Sequence, residues 1–226
     1  MILQPIAHFR SPFTSKFGIP KQSGLVSELR GQIVFEPEFR HPDFLRGLTE
    51  FDYIWLIWEF SANPHRANNP VVRPPVLGGN ERMGVFATRS PFRPNPLGLS
   101  SVRIERIELV TSKGPIIHVL GADLMDGTPI YDIKPYITYA DCHASARCGF
   151  VDQRQWPRLD VVIPDSFTGK MSPDELLALR HTLELDPRPH FQDDPEKRYG
   201  MPFLGYDIHF RVRNGVVIVD DDLPTN

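Results

Sequence analysis

The sequence predicts a mainly β protein: a small β-barrel with long ordered loops, followed by a small C-terminal α+β domain. Three observations lead there. Proline supplies 23 of 226 residues, about twice the usual ~5%. It fixes φ and removes a backbone donor, so it is excluded from helix interiors and central strands. A chain so rich in it has short elements and many ordered connections. Second, residues 1 to about 140 carry six or seven short apolar runs separated by turn-rich segments, a barrel or sandwich pattern. Third, the texture changes near residue 141, and the one strongly helical pattern lies beyond it.

Taken in order, "ILQPIAHF" reads as a strand broken by Pro5, and "RSPFTSKFGIPKQSG" as a long loop with no periodicity. Loops of that length inside compact domains are often functional. "RGQIVFEPEF" reads as a strand. "HPDFLRGLTEF" predicts a short helix, with Pro42 in its first turn and Phe44, Leu48 and Phe51 at helical spacing. "DYIWLIWEF" is almost continuously β-branched and aromatic and predicts a central, core strand. A second long loop follows, then "GVFAT" as a short strand. In "SVRIERIEL", Val102 and Ile104 fall on one parity and Ile107 and Leu109 on the other, so a β-bulge near Glu105–Arg106 is needed to keep one apolar face. "PIIHVLGADLM" and "DGTPIYDIKPYITYAD" supply the last barrel strands.

These readings place the barrel at residues 1–145, a linker at 146–162 and the small domain at 163–226. In the last, "SPDELLALRHTLELD" predicts a helix: Ser172 and Glu175 form a capping box, Pro173 occupies the first helical position, and Leu176, Leu179 and Leu183 share a face. "YDIHFRVRNGVVIVD" predicts a hairpin turning at Asn214-Gly215.

Composition narrows the function classes. No run approaches the ~20 apolar residues of a membrane helix, and the N-terminus lacks the pattern of a signal peptide. The only cysteines are Cys142 and Cys148, no framework for a disulfide scaffold. The expected compartment is the cytoplasm, without membrane attachment. Net charge is −3, but residues 1–164 carry +2 and residues 165–226 carry −5. Seven arginines between Arg66 and Arg106 face only Glu81 and Glu105, which makes a candidate phosphate surface. The alternative is a set of arginines on a solvated face.

Several chemistries lack their markers: there is no G-x-G-x-x-G, no Walker loop, no H-E-x-x-H and no G-x-S-x-G. No metal site is expected; Cys142-His143 with Cys148 reads as ordinary linker side chains. Three loops remain, "IPKQSG", "ATRSPFRPNPLGLS" and "DLMDGTPIYDIKPY". In the second, Pro91, Pro94 and Pro96 stiffen a segment carrying Arg89 and Arg93, whose planar forks suit carboxylate or phosphate. A purely structural crossover fits that loop equally well. In the third, a turn at Asp126-Gly127-Thr128-Pro129 offers open backbone groups to a ligand, or is simply a hairpin turn.

"GVFATRSPFRPNPLGLS", "DGTPIYDIKPY" and "RPPVLGGNERMG" together resemble the TsaA-like domain family over residues 1 to about 140, within it the bacterial tRNA adenine-37 methyltransferases of the TrmO type. The tail, with Asp186-Pro187-Arg188-Pro189 and "YDIHFRV", resembles the small C-terminal domain of the bacterial members. The resemblance implies a small β-barrel that binds S-adenosylmethionine, forms a homodimer with the cofactor near the subunit interface, and methylates the 6-nitrogen of threonylcarbamoyl-adenosine 37, next to the anticodon, in threonine tRNA. The cofactor residues it implies are Pro20, Lys21, Gln22, Ser61, Ala62, Arg89, Leu99, Asp126, Gly127, Thr128 and Pro129. Ser61-Ala62 departs from the His-Gln of some relatives.

Candidate bases by residue type are Asp126, Tyr131 and Asp132, with transfer by positioning alone an equal alternative. Arg66, Arg73, Arg82, Arg93 and Lys134 are candidates for RNA phosphate, with Arg188, Arg211 and Arg213 further candidates from the tail. The competing readings are a non-catalytic S-adenosylmethionine- or RNA-binding module on the same barrel, and an enzyme acting on a small molecule.

Overall fold

The computed structural model describes residues 2–63, 69–74, 77, 81–152, 157–189 and 194–224. The strands are β1 (Ala7–Arg10), β2 (Arg30–Phe35), β3 (Tyr53–Glu59), β4 (Val71–Val72), β5 (Met83–Gly84), β6 (Leu97–Glu108), β7 (Ile116–Leu120) and β8 (Pro129–Pro135). A short helix α1 (Thr138–Asp141) follows, then β9 (Asp160–Val162), α2 (Pro173–Glu184), β10 (Tyr199–Phe203), β11 (Tyr206–Arg213) and β12 (Val216–Val219).

Six strands close into a barrel in the order β1-β2-β7-β6-β3-β8, every neighbouring pair antiparallel. Alternation fills the interior: Ile54, Leu56 and Trp58 from β3, Val102 from β6, and Ile117 and Val119 from β7 are buried together with Phe9, Ile33 and Ile130. The bulge expected in β6 is present. Ile104 pairs with Val119 and Arg106 with His118, which leaves Glu105 as the extra residue. Closure leaves no free sheet edge. It also gathers the ends of the strands at two rims. At one rim β1, β3 and β7 end and β2, β6 and β8 begin, so the segments 11–29, 60–96 and 121–128 all start or finish there.

Two readings are corrected. Residues 42–51 do not form one helix but two 3₁₀ turns, Pro42–Leu45 and Leu48–Glu50. Gly47 between them is left-handed at φ 83°, and a helix cannot run through that conformation. "GVFAT" is not a strand beyond Gly84: Val85–Ala87 is a 3₁₀ turn, and Phe86 is 80% exposed, with no sheet neighbour to cover it.

The tail is a four-stranded sheet, β10-β11-β12-β9, with β9 parallel to β12 and α2 packed on it. The capping box forms in full, Ser172 accepting from the Glu175 amide and Glu175 accepting from the Ser172 amide. Asn214 and Gly215 both have positive φ, 51° and 77°, as a type I′ turn requires. β9 and β10 were not predicted.

The tail's core is completed by the first long loop. Phe13, Val26 and Leu29 are buried in the same cluster as Phe167, Leu179, Met201, Phe203 and Phe210, with Phe17 and Ile19 packed against it. The Phe13 ring meets Phe203 edge-on at 5.4 Å, and the Leu204 amide donates to the Pro12 carbonyl at 2.9 Å. Polar links surround this seam: Arg30 to Asp174 at 3.0 Å and His181 to Glu28 at 2.9 Å.

Candidate functional site

The loop-bearing rim brings the three singled-out loops together. Arg89 Nη1, in the second loop, donates to Gln22 Oε1 in the first. Lys16 Nζ, also in the first loop, donates to the Ala62 carbonyl at 3.2 Å and to Asn63 at 3.0 Å. The Phe60 amide donates to the Pro96 carbonyl at 2.8 Å, which ties the end of β3 to the second loop. The Gly24 amide donates to Gly121 at 2.8 Å and the Asp126 amide to Phe13 at 2.8 Å, which tie the first loop to the third.

The second loop is held rigid from inside. Thr88 Oγ1 donates to the Val85 carbonyl at 2.9 Å and accepts from the Ser90 amide. Arg93 folds back, donating to the Thr88 carbonyl at 3.1 Å and the Ser90 carbonyl at 3.4 Å. Arg93, expected to face RNA phosphate, therefore serves its own loop, because the prolines leave carbonyls without strand or helix partners. Arg89 stays exposed at the surface.

The third loop differs from expectation. Its amides are not open: Asp126 donates to Phe13, Gly127 to Phe9 and Thr128 to Met125. What it offers a ligand is shape and carbonyls. The Asp126 carboxylate accepts from the Ser11 amide at 3.0 Å and faces Arg10 at 3.4 Å. Asp132 accepts from the Ile133 amide at 2.9 Å and pairs with Lys134 at 3.2 Å. Tyr131 donates its hydroxyl to Glu59; desolvation first, then the Glu59 carboxylate, push the phenol up to about 12. Tyr131 is thus protonated at neutral pH and is a donor there, not a base.

Pro20 is buried, Gln22 half-buried and Lys21 exposed. Desolvation by neighbouring protein atoms lowers the Lys21 pKa, opposed by the charge of Asp186 in the tail. Ser61 is exposed, its amide turned to the Glu59 carbonyl at 2.8 Å. Leu99 lies on the outer face of β6, 57% exposed.

Of the RNA candidates, Arg73 and Arg82 are exposed and make no ion pair among the described residues; Arg66 lies outside those residues. The tail arginines are engaged: Arg188 with Asp186, Arg211 with Asp220 and Arg213 with Glu196.

Sequence reasoning missed the polar node beneath the loops. Trp58 Nε1 donates to Ser100 Oγ at 3.0 Å, and Ser100 Oγ donates to Asp123 at 2.6 Å. The one signal was a carboxylate just after the strand glycine, in "GADLMDG". Two clefts, of about 360 Å³ beside His8 and Glu36 and about 300 Å³ beside Pro164 and Arg180, lie away from the three loops. The rim is preferred because donors and acceptors from three segments converge there. Cys142 and Cys148 are exposed free thiols.

A closed antiparallel barrel whose long loops meet at one rim, with an α+β domain built on the first of them, defines a class of small-barrel proteins distinct from Rossmann folds. The chain matches the model of the tRNA-methyltransferase O N-terminal domain over residues 8–142 and that of the TrmO C-terminal domain over residues 158–222. It belongs to this family. A tRNA (adenine(37)-N6)-methyltransferase of Escherichia coli is 36% identical over 222 residues, 92% of each chain. One from Eikenella corrodens is 42% identical over 171 residues, 75% of this chain and 96% of its own. The crystal structure of TrmO from Pseudomonas aeruginosa superposes with a TM-score of 0.79 at 32% identity, covering 100% of this chain and 97% of that one.

Proposed function

We propose that the chain transfers a methyl group from S-adenosylmethionine to the 6-nitrogen of adenosine 37 in tRNA. The observation that carries this reading is the joining of the first and second loops, Arg89 to Gln22, in a chain that matches the family in both its barrel and its tail. The finer reading is that the substrate is threonine tRNA already carrying the threonylcarbamoyl group. The protein would work in the cytoplasm as a homodimer. No helix among the described residues is long and apolar enough to cross a membrane.

The rim suits the cofactor's chemistry. An exposed guanidinium at Arg89 fits its carboxylate, carbonyls of the third loop fit polar edges, and Leu99 offers an apolar surface. Pro20, Lys21, Gln22, Ser61, Ala62, Arg89, Leu99 and Asp126 to Pro129 are the proposed cofactor contacts, Ser61 and Ala62 through backbone groups. The cofactor supplies a methyl already activated by its sulfonium, so the protein's task is alignment and exclusion of water.

Asp126 and Asp132 each spend their carboxylates on a backbone amide and a neighbouring cation, and Tyr131 holds its proton. Positioning without a dedicated base is the reading these contacts favour. The target lies in a single-stranded loop, where turning a base out costs little compared with a duplex. Arg73 and Arg82, with Lys134, are the proposed phosphate contacts.

The test is transfer of labelled methyl to tRNA with and without the threonylcarbamoyl group. Label entering only the modified tRNA is expected. Cofactor binding with no transfer to either tRNA would replace this reading with that of a non-catalytic binding module.

A further inference from the structure

The second loop exposes two large aromatic rings that have no part in the reading above. Phe86 is 80% exposed and Phe92 51%, three residues before and three after Arg89. Neither ring meets another ring among the described residues. Their backbone is fixed all the same. Val85, next to Phe86, is buried, and its amide donates to the Pro70 carbonyl at 2.9 Å, which anchors the turn beside the β4–β5 ladder. The Thr88 amide closes that turn onto the Val85 carbonyl at 3.2 Å. The Phe92 amide donates to Ser90 Oγ at 3.2 Å, and Arg93 Nη1 reaches back to the Thr88 carbonyl. The loop thus buries its valine and holds both phenylalanines out on a rigid frame.

Single exposed apolar side chains are common, but these two share a loop with cations that no carboxylate answers. Arg73 directly follows β4 and Arg82 directly precedes β5, so the pairing of Val72 with Met83 sets the two arginines next to one another past the end of the ladder. Both are exposed and make no ion pair among the described residues. Arg89, between the rings, is held by the neutral amide oxygen of Gln22. Like charges side by side repel, and an anion set against them relieves the repulsion. A second copy of the chain suits this patch poorly, because its docking would strip water from unanswered guanidiniums. Single-stranded RNA suits it well: phosphates answer the arginines, and unpaired bases offer flat faces that stack on aromatic side chains.

We propose that Phe86 and Phe92 form a stacking surface for unpaired bases of the tRNA loop that carries the target adenosine, with Arg73 and Arg82 taking phosphates beside them. This rests on tRNA as the substrate. The rings bracket Arg89 in sequence, so bases stacked there lie at the loop assigned to the cofactor. Stacking accepts every base, so the rings hold the RNA loop without reading its sequence. Their loss acts on tRNA affinity and not on cofactor affinity.

The experiment uses the full chain and replaces Phe86 and Phe92, one at a time, by Ala, Leu and Tyr. Binding of tRNA carrying the threonylcarbamoyl group is measured by filter binding at several salt concentrations, cofactor binding by calorimetric titration, and oligomeric state by light scattering. Each Ala variant is expected to raise the tRNA Kd about fivefold or more, the loss of one base–aromatic stack. The salt slope stays that of the parent, since no charge is removed, and the cofactor Kd is unchanged. Tyr, which keeps the ring, restores binding; Leu, which keeps apolar bulk without the ring, does not. Parent-like tRNA binding in the Leu variants overturns the proposal, because bulk alone then suffices. Parent-like tRNA binding in both Ala variants also overturns it. A change of oligomeric state in an Ala variant would show that a second copy covers the rings, and a cofactor Kd raised with the tRNA Kd unmoved would place them in the cofactor site; either outcome overturns it. A parent protein that neither binds nor methylates this tRNA overturns the proposed function and this inference together, whereas an active parent with unimpaired variants overturns this inference alone.

Discussion

Gly18 and Met201 approach so closely that a Cβ built on Gly18 would stand 2.1 Å from the Met201 sulfur and 2.5 Å from its Cγ. Met201 is fully buried in the tail's core, so its side chain has little room to yield. Gly18 also sits at φ 93°, where a side chain is strained. Gly18→Ala is therefore expected to destabilise the protein by about 2–4 kcal/mol, from overpacking and backbone strain together. Gly169→Ala, with φ 89° and open space around it, carries the strain alone and should cost only about 1–2 kcal/mol. Denaturant unfolding of both checks the difference. Because Pro20–Gln22 follow at once, Gly18→Ala should also weaken cofactor binding.

Arg82 and Arg93 separate two roles that arginine plays near this rim. Arg82 is exposed and makes no ion pair among the described residues, whereas Arg93 is spent on the Thr88 and Ser90 carbonyls. Arg82→Ala should weaken tRNA binding and lower the slope of log affinity against log salt by about 0.7–0.9, one phosphate contact. Arg93→Ala should leave that slope unchanged and loosen the second loop, so that cofactor KM rises instead. Filter binding at several salt concentrations, beside cofactor titration, distinguishes them.

The barrel was legible because its strands carry their own signals. The parity change at Glu105 demanded a bulge, and the tail helix announced itself through Ser172, Pro173 and Glu175. Where non-local contacts decide, the sequence was silent. Residues 11–29 look like a loop because their apolar residues have no period; Phe13, Val26 and Leu29 are spaced to meet Met201, Phe203 and Phe210, nearly two hundred residues away. β10, "YGMPF", carries a glycine and a proline that break up its strand pattern, yet it pairs with β11 over its full length. Pro202 is tolerated because β10 is the edge of its sheet. At the rim, Arg89 stood out through its prolines, but Asp123 acquires its partner only when folding sets the Ser100 hydroxyl, itself held by Trp58, beside it.

Tyr131 was a candidate base by type, and its environment argues the reverse. With its hydroxyl donating to Glu59 and its pKa pushed up to about 12, it remains protonated through the physiological range. Tyr131→Phe is expected to leave the pH–rate profile of methyl transfer unchanged between pH 6 and about 9. Loss, in the variant, of a rise in rate with increasing pH that the parent shows would restore Tyr131 to the chemistry as a base.

Asp123 should impose a stability cost on the native state. Desolvation raises its folded-state pKa above the ordinary carboxylate value, against the opposing hydrogen bonds from Ser100 and backbone and the charge of Arg89. A group whose pKa is raised on folding contributes stability that is complete below its unfolded pKa and disappears as pH rises through the folded value. Wherever it is ionised, Asp123 thus makes the native state less stable than a neutral isostere would. Asp123→Asn, which keeps an acceptor for Ser100, is expected to melt at a higher temperature than the parent protein at pH 7, the gap closing as pH falls below the ordinary carboxylate range. Thermal unfolding of the two proteins across that range checks this. A variant less stable at every pH would mark Asp123 as a structural acceptor whose charge its neighbours stabilise.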